Sequence, residues 1–120
     1  EIGIFVRSAT ELQRARDVIT TAGLPAVCLD EAVGSITDSV TIATMHLAKG
    51  LEFRAVVVMA CDDTVLPSPE RIKAVGDIGD LPEVYDSERT LLYVACTRAR
   101  EYLMITGLTP LSEFVRDMEG

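Results

Sequence analysis

The residues able to do chemistry concentrate in two stretches of this 120-residue chain. Thr41 to Phe53, TIATMHLAKGLEF, holds the only histidine, His46, followed closely by Lys49, Gly50 and Glu52. Glu88 to Glu101, ERTLLYVACTRARE, holds Arg89, Arg98 and Arg100. Each has a plain reading beside a chemical one. Lys49 could neutralise a phosphate or stand solvated. Arg98 falls where a helix is expected to end, a place that favours a cation through the helix dipole alone. Gly50 supplies a positive φ, or lets the backbone come close to a ligand; the two are compatible. A lone histidine is usually packing, and it excludes a multi-histidine metal site. The usual nucleotide signatures are missing. There is no GxxxxGK[ST] and no GxGxxG behind a strand, and Lys49-Gly50 has the pair in the wrong order. Val56 to Asp63, VVVMACDD, has the form of a strand delivering carboxylates to magnesium. Without a phosphate-binding loop the pattern is weak, and structural acids are the better reading. Cys28, Cys61 and Cys96 are far apart in apolar runs. That fits buried, reduced thiols of a cytosolic protein, and neither a disulfide framework nor a zinc site.

The elements that must position these residues follow from periodicity. Ile2 to Val6 reads as a buried strand. Thr10 and Gln13 form a capping box for a helix with Leu12, Ala15, Val18, Ile19 and Ala22 on one face, stopped by Gly23 and Pro25. Ala26 to Leu29 and Val40 to Thr44 are strands, and Met45 to Leu51 a loop with up to one helical turn. Arg54 to Ala60 is rich in Val and apolar on both faces, as a central parallel strand should be. Residues 62–85 read as a long acidic loop with a turn of helix near 70–75. Asp86 or Ser87 caps a helix to about Arg98; Glu101 to Thr106 is the last strand, and Leu111 to Met118 a terminal helix. The alternation predicts an α/β layered domain with about five mostly parallel strands. Thr44 and His46 then lie at the carboxyl end of a strand, where such sheets place ligands.

Composition bounds the rest. The length suits one domain spanning 1–120. With 48% apolar residues the chain is not disordered, and no apolar stretch is long enough for a membrane helix. No secretory signal opens it, and without an initiator Met it is expected to be a piece of something longer. The net charge is −8, so tight DNA binding by this chain alone is not expected. The excess is local: residues 62–88 hold eight acids against Arg71 and Lys73, while the remainder is nearly neutral.

Taken together and in this order, the two stretches resemble motifs V and VI of the UvrD/Rep family of superfamily I DNA helicases. The family patterns are close to T-x-H-x-x-K-G-L-E-[FW] and E-x-R-x-x-Y-V-x-x-T-R-A. The opening IFVRSATELQRARDVITTAGLP extends the likeness over nearly the whole chain. The resemblance implies a RecA-like three-layer α/β fold with helices on both faces, and the second of two motor domains. It implies ATP in a cleft shared with an N-terminal RecA-like domain that holds the phosphate-binding loop and Mg2+, and single-stranded DNA across the top. Arg98 would be the arginine finger, Glu52 the ribose contact and Gly50 a phosphate neighbour. Thr44, His46, Lys49, Arg7 and Ser8 would face the DNA backbone, with His46 coupling it to the ATP site. Tyr93 is expected to pack, Arg89 to bind a carboxylate, and Arg100 to face solvent or pair with an acid. The large family members insert a helical subdomain after the second strand; here Asp30 to Ser39 is too short to hold one. The rival is a stand-alone, non-catalytic domain that binds nucleotide or protein. Arg98 and Glu52 together favour the motor; the negative charge favours the rival.

Overall fold

The computed structural model describes residues 2–28, 40–76 and 80–119. In chain order it contains β1 (Ile2–Val6), α1 (Leu12–Thr21), β2 (Ala26–Cys28), β3 (Val40–Thr44), β4 (Phe53–Val58), α2 (Pro69–Lys73), α3 (Leu81–Cys96), β5 (Ala99–Ile105) and α4 (Glu113–Glu119). Single 3-10 turns occupy Ala9–Glu11 and Met45–Leu47. The strands form one sheet, ordered β2-β3-β1-β4-β5, and every pairing is parallel.

Alternation along the central strands sends side chains to two cores. Ile4 and Val6 of β1 and Val40 and Ile42 of β3 meet Ala15 and Ile19 of α1. Phe5, Ala43, Val56 and Val58 face the other way, onto Leu92, Ala95 and Cys96 of α3 and Phe114 and Val115 of α4. Helices therefore cover both faces, as a buried parallel sheet requires. On α3 the buried residues are Glu88, Leu92, Ala95 and Cys96, a helical stripe with one carboxylate among apolar side chains. Gly3 is fixed by packing: a Cβ there would lie 2.5 Å from Cδ2 of Phe53. At the β5 edge the cover thins, and Tyr102 and Met104 are exposed.

Several boundaries differ from the sequence reading. The capping box does not form. Thr10 lies in the 3-10 turn with its hydroxyl 2.8 Å from that of Ser8, Gln13 donates to Asp17, and α1 starts at Leu12 without a side-chain cap. α3 begins at Leu81, a full turn before Asp86. Pro82 sits in its first turn, where the missing N–H costs nothing, so this proline starts a helix instead of breaking one. β4 begins at Phe53 and ends at Val58, and Ala60 turns away with φ +61. β5 begins at Ala99 and α4 at Glu113. The turn of helix near 70–75 is α2. Leu29 and the link 30–39 lie outside the described residues, as do 77–79 of the acidic segment.

Candidate functional site

The sequence-derived candidates fall into two groups at opposite ends of the sheet. At the carboxyl edge, β1 delivers Arg7 and Ser8, and β3 delivers Thr44 and then His46 in the 3-10 turn that follows. Arg7 is buried, 5% exposed. It grips Glu88 of α3 with both arms, Nε to Oε1 at 2.8 Å and Nη2 to Oε2 at 2.6 Å. Its Nη1 lies 3.1 Å from Nε2 of His46. Two further groups donate to Glu88: the Ser68 backbone N–H (2.5 Å) and Nη1 of Arg71 (2.8 Å). Burial pushes the Glu88 carboxyl up, but the Arg7 pair, the Ser68 N–H and Arg71 outweigh it and hold the group below the usual glutamate range. Thr44 is half-buried and Ser8 partly exposed; His46 is exposed.

At the amino edge of β4 and β5 lie Gly50, Glu52 and Arg98. Gly50 adopts φ +84 with open space where a Cβ would be, so the turn requires glycine for its backbone angle. Arg98 follows the C-terminal cap of α3. Its carbonyl accepts the Phe53 N–H at 2.9 Å, which ties the end of α3 to the start of β4. The Arg98 side chain folds over the helix end, and among the described residues its partners are neutral acceptors: the Val94 carbonyl (3.1 Å), the Thr97 hydroxyl (3.0 Å) and the Leu51 carbonyl (3.5 Å). Glu52 is exposed and pairs with Arg100 at 3.5 Å, an acid partner as the sequence allowed. A surface pair of this kind is worth about 0–1 kcal/mol and yields readily to another donor.

A groove of about 350 Å³ runs between the Met45–Leu47 turn and α3. Met45, His46 and Lys49 line one wall, and Ser87, Thr90, Leu91 and Val94 the other. It starts beside His46 and reaches Val94, whose carbonyl holds Arg98, so it joins the two groups. At the amino edge the side chains present one donor and one acceptor: a guanidinium resting on neutral oxygens, and an exposed carboxylate. Among the described residues no three His, Cys, Asp or Glu side chains cluster to hold a metal ion. Asp62 is engaged instead by Arg14, at 2.7 and 3.1 Å, and by the Leu108 N–H at 2.6 Å. Arg14 holds its carboxyl low against the opposing effect of burial, with the Leu108 N–H adding to the pull.

Sequence reasoning missed Glu88 as a hub. Its neighbours Ser87 and Arg89 are polar, and only the four-residue step to Leu92 signals that it faces inward. Tyr93 was expected to pack, but it is half exposed; Tyr85 takes the aromatic position instead, edge-on to Phe114 at 5.9 Å. Arg89 reaches Asp86 at 3.3 Å and lies 4.8 Å from the Phe114 ring centre.

Residues 7–109 match the profile of the UvrD-like helicase C-terminal domain. The chain is 41% identical over 88 residues to the ATP-dependent DNA helicase PcrA of Staphylococcus aureus (strain MRSA252), covering 73% of this chain and 11% of that protein. It is 40% identical over 92 residues to PcrA of Staphylococcus epidermidis (strain RP62A), covering 77% and 12%. This chain thus spans only a small part of the length of these relatives. Among solved structures, the C-terminal domain of a possible DNA helicase from Lactobacillus plantarum WCFS1 superposes with a TM-score of 0.64. The superposition covers 95% of this chain and 60% of that one, at 23% identity, and so compares folds.

Proposed function

The chain belongs to the UvrD-like helicase C-terminal domain family, and from that premise we propose that it is the second motor domain of an ATP-dependent translocase on single-stranded DNA. The PcrA relatives are ATP-dependent DNA helicases by name. The observation that carries the reading is the Phe53–Arg98 junction, which sets Arg98 beside Gly50 and Glu52 at one end of a groove that begins at His46.

In this reading ATP lies between this domain and an N-terminal RecA-like domain, which holds the phosphate-binding loop and Mg2+. ATP supplies the phosphoryl group whose transfer drives the cycle. Arg98 rotates off the Val94 and Thr97 oxygens and sets its planar fork against the charge that develops on the transferred group. Glu52 leaves its weak pair with Arg100 and accepts from the ribose. Gly50 holds the turn open beside the phosphates. Toward the other edge Thr44, His46 and Ser8 face the DNA backbone, and so does Lys49, which lines the groove between the two groups. Arg7 serves behind them, because its guanidinium is already committed to Glu88 and His46. The groove and α3 give the two edges a common mechanical element.

The test uses a full-length protein carrying this domain. Arg98→Ala lowers ATP hydrolysis at least ~100-fold, below the ~10³–10⁵ span of arginine fingers. ATP affinity changes far less, and Arg98→Lys does not rescue, since a point charge lacks the fork. Unchanged turnover in Arg98→Ala overturns the finger assignment.

A further inference from the structure

Glu88 is a carboxylate with no measurable exposure, and two arginines and a backbone N–H converge on it. A buried ion pair contributes little net stability compared with an apolar replacement, so the arrangement asks for another role. That role lies in the third nitrogen of Arg7. Nε and Nη2 are held by Glu88, which leaves Nη1 aimed at Nε2 of His46, 3.1 Å away. Arginine has no acceptor. The hydrogen bond therefore requires a lone pair on Nε2, and the ring proton must sit on Nδ1. That is opposite to the tautomer an unconstrained histidine ring favours. His46 itself is exposed, so Nδ1–H is the group this edge offers to a ligand.

We propose that Glu88 is a positioning residue. It clamps Arg7, Arg7 fixes His46 as the Nδ1–H tautomer, and that N–H donates to a phosphate oxygen of the nucleic-acid backbone. The last step rests on the DNA reading of this edge given above; the tautomer does not. Glu88 stands on the helix whose far end carries Arg98, so the contact that orients His46 is also a fixed point of α3.

His46 is the only histidine in the chain, so its ring nitrogens can be observed without assignment ambiguity. The experiment is long-range proton–nitrogen NMR on the 15N-labelled 120-residue chain at about pH 8, above the ordinary histidine range. The unmodified chain shows a protonated Nδ1 and a bare Nε2. The Nε2–H form in that spectrum overturns the proposal outright, before any variant is made. Glu88→Gln and Arg7→Lys, each checked for native amide dispersion, both revert to the Nε2–H form. Lysine keeps one charge for Glu88 but has no second arm for His46, so Arg7→Lys tests the geometry where Glu88→Gln tests the clamp. An Nδ1–H ring that persists in either folded variant refutes the relay. Oligothymidylate is then added at low salt, where phosphate contacts are strongest. The His46 Nδ1 resonance shifts in the unmodified chain and loses that shift in Arg7→Lys. An Nδ1–H tautomer that ignores oligothymidylate overturns the DNA role of His46 and leaves the clamp standing.

Discussion

Cys96 stands two residues before Arg98, yet it is closed off from solvent. Its thiol is buried under the sheet, and burial pushes it up to about 11. Cys61 is more enclosed; burial first, then the neighbouring Cys96 and Asp62, push it up to about 12. Both stay protonated at neutral pH and present no thiolate to an electrophile. Cys28 is only partly buried. A thiol reagent such as DTNB at about pH 7.5 should therefore modify one cysteine quickly in the folded chain and all three in denaturant. Cys28→Ser should abolish the fast phase. Two fast thiols would show that the α3 end opens far more often than its packing implies. Ala95 and Cys96, packed in the core, anchor the end of α3 from which the Arg98 side chain extends.

Among the elements, β1 and β4 are the most tightly specified, because an aromatic ring fills the place of a missing side chain. Phe53 covers Gly3 so closely that a Cβ would meet three ring carbons at 2.5–2.8 Å. Gly3→Val should cost about 1–3 kcal/mol, the range for forcing bulk into a filled core. The urea midpoint measures it, and Phe53→Leu in the same chain should recover part of the loss, since the two sites are coupled. The strands and α1 were legible from sequence because runs such as IGIFV and VTIAT have a clear period and β-branched content. The start of α3 was not, because Pro82 reads as a breaker until its place in the first turn is known. The motifs singled out Arg98, Glu52 and Gly50 as candidates, and the φ of +84 accounts for the glycine. The burial of Arg7 was not legible. A charged residue at a strand end looks solvated unless its partner is known, and Glu88 lies on a different element more than half the chain away.

For the molecule as a whole, two buried carboxylates tie the layers together. Glu88 joins α3 to β1 and α2, and Asp62 joins the segment after β4 to α1. Both titrate below their ordinary values in the folded state. Their contribution is therefore complete above the unfolded values of about 4.3 and 3.9, and it is lost as pH falls through the lower folded values. Thermal midpoints followed from about pH 7 to pH 3 should drop steeply below about pH 4. Glu88→Gln should flatten that drop while lowering the midpoint at neutral pH; an unchanged acid limb would show that the pairs contribute nothing. The order of the strands also dictates the order of events during synthesis. β1 precedes its partners in the sequence, yet it is the middle of the sheet, and Ile4 pairs with Ile42 on one side and Val57 on the other. No backbone partner exists for it until β3 and β4 have emerged. The nascent chain holds IGIFV unpaired until Val40–Thr44 and Phe53–Val58 have followed it out, which leaves β1 exposed to chaperones and to misassociation.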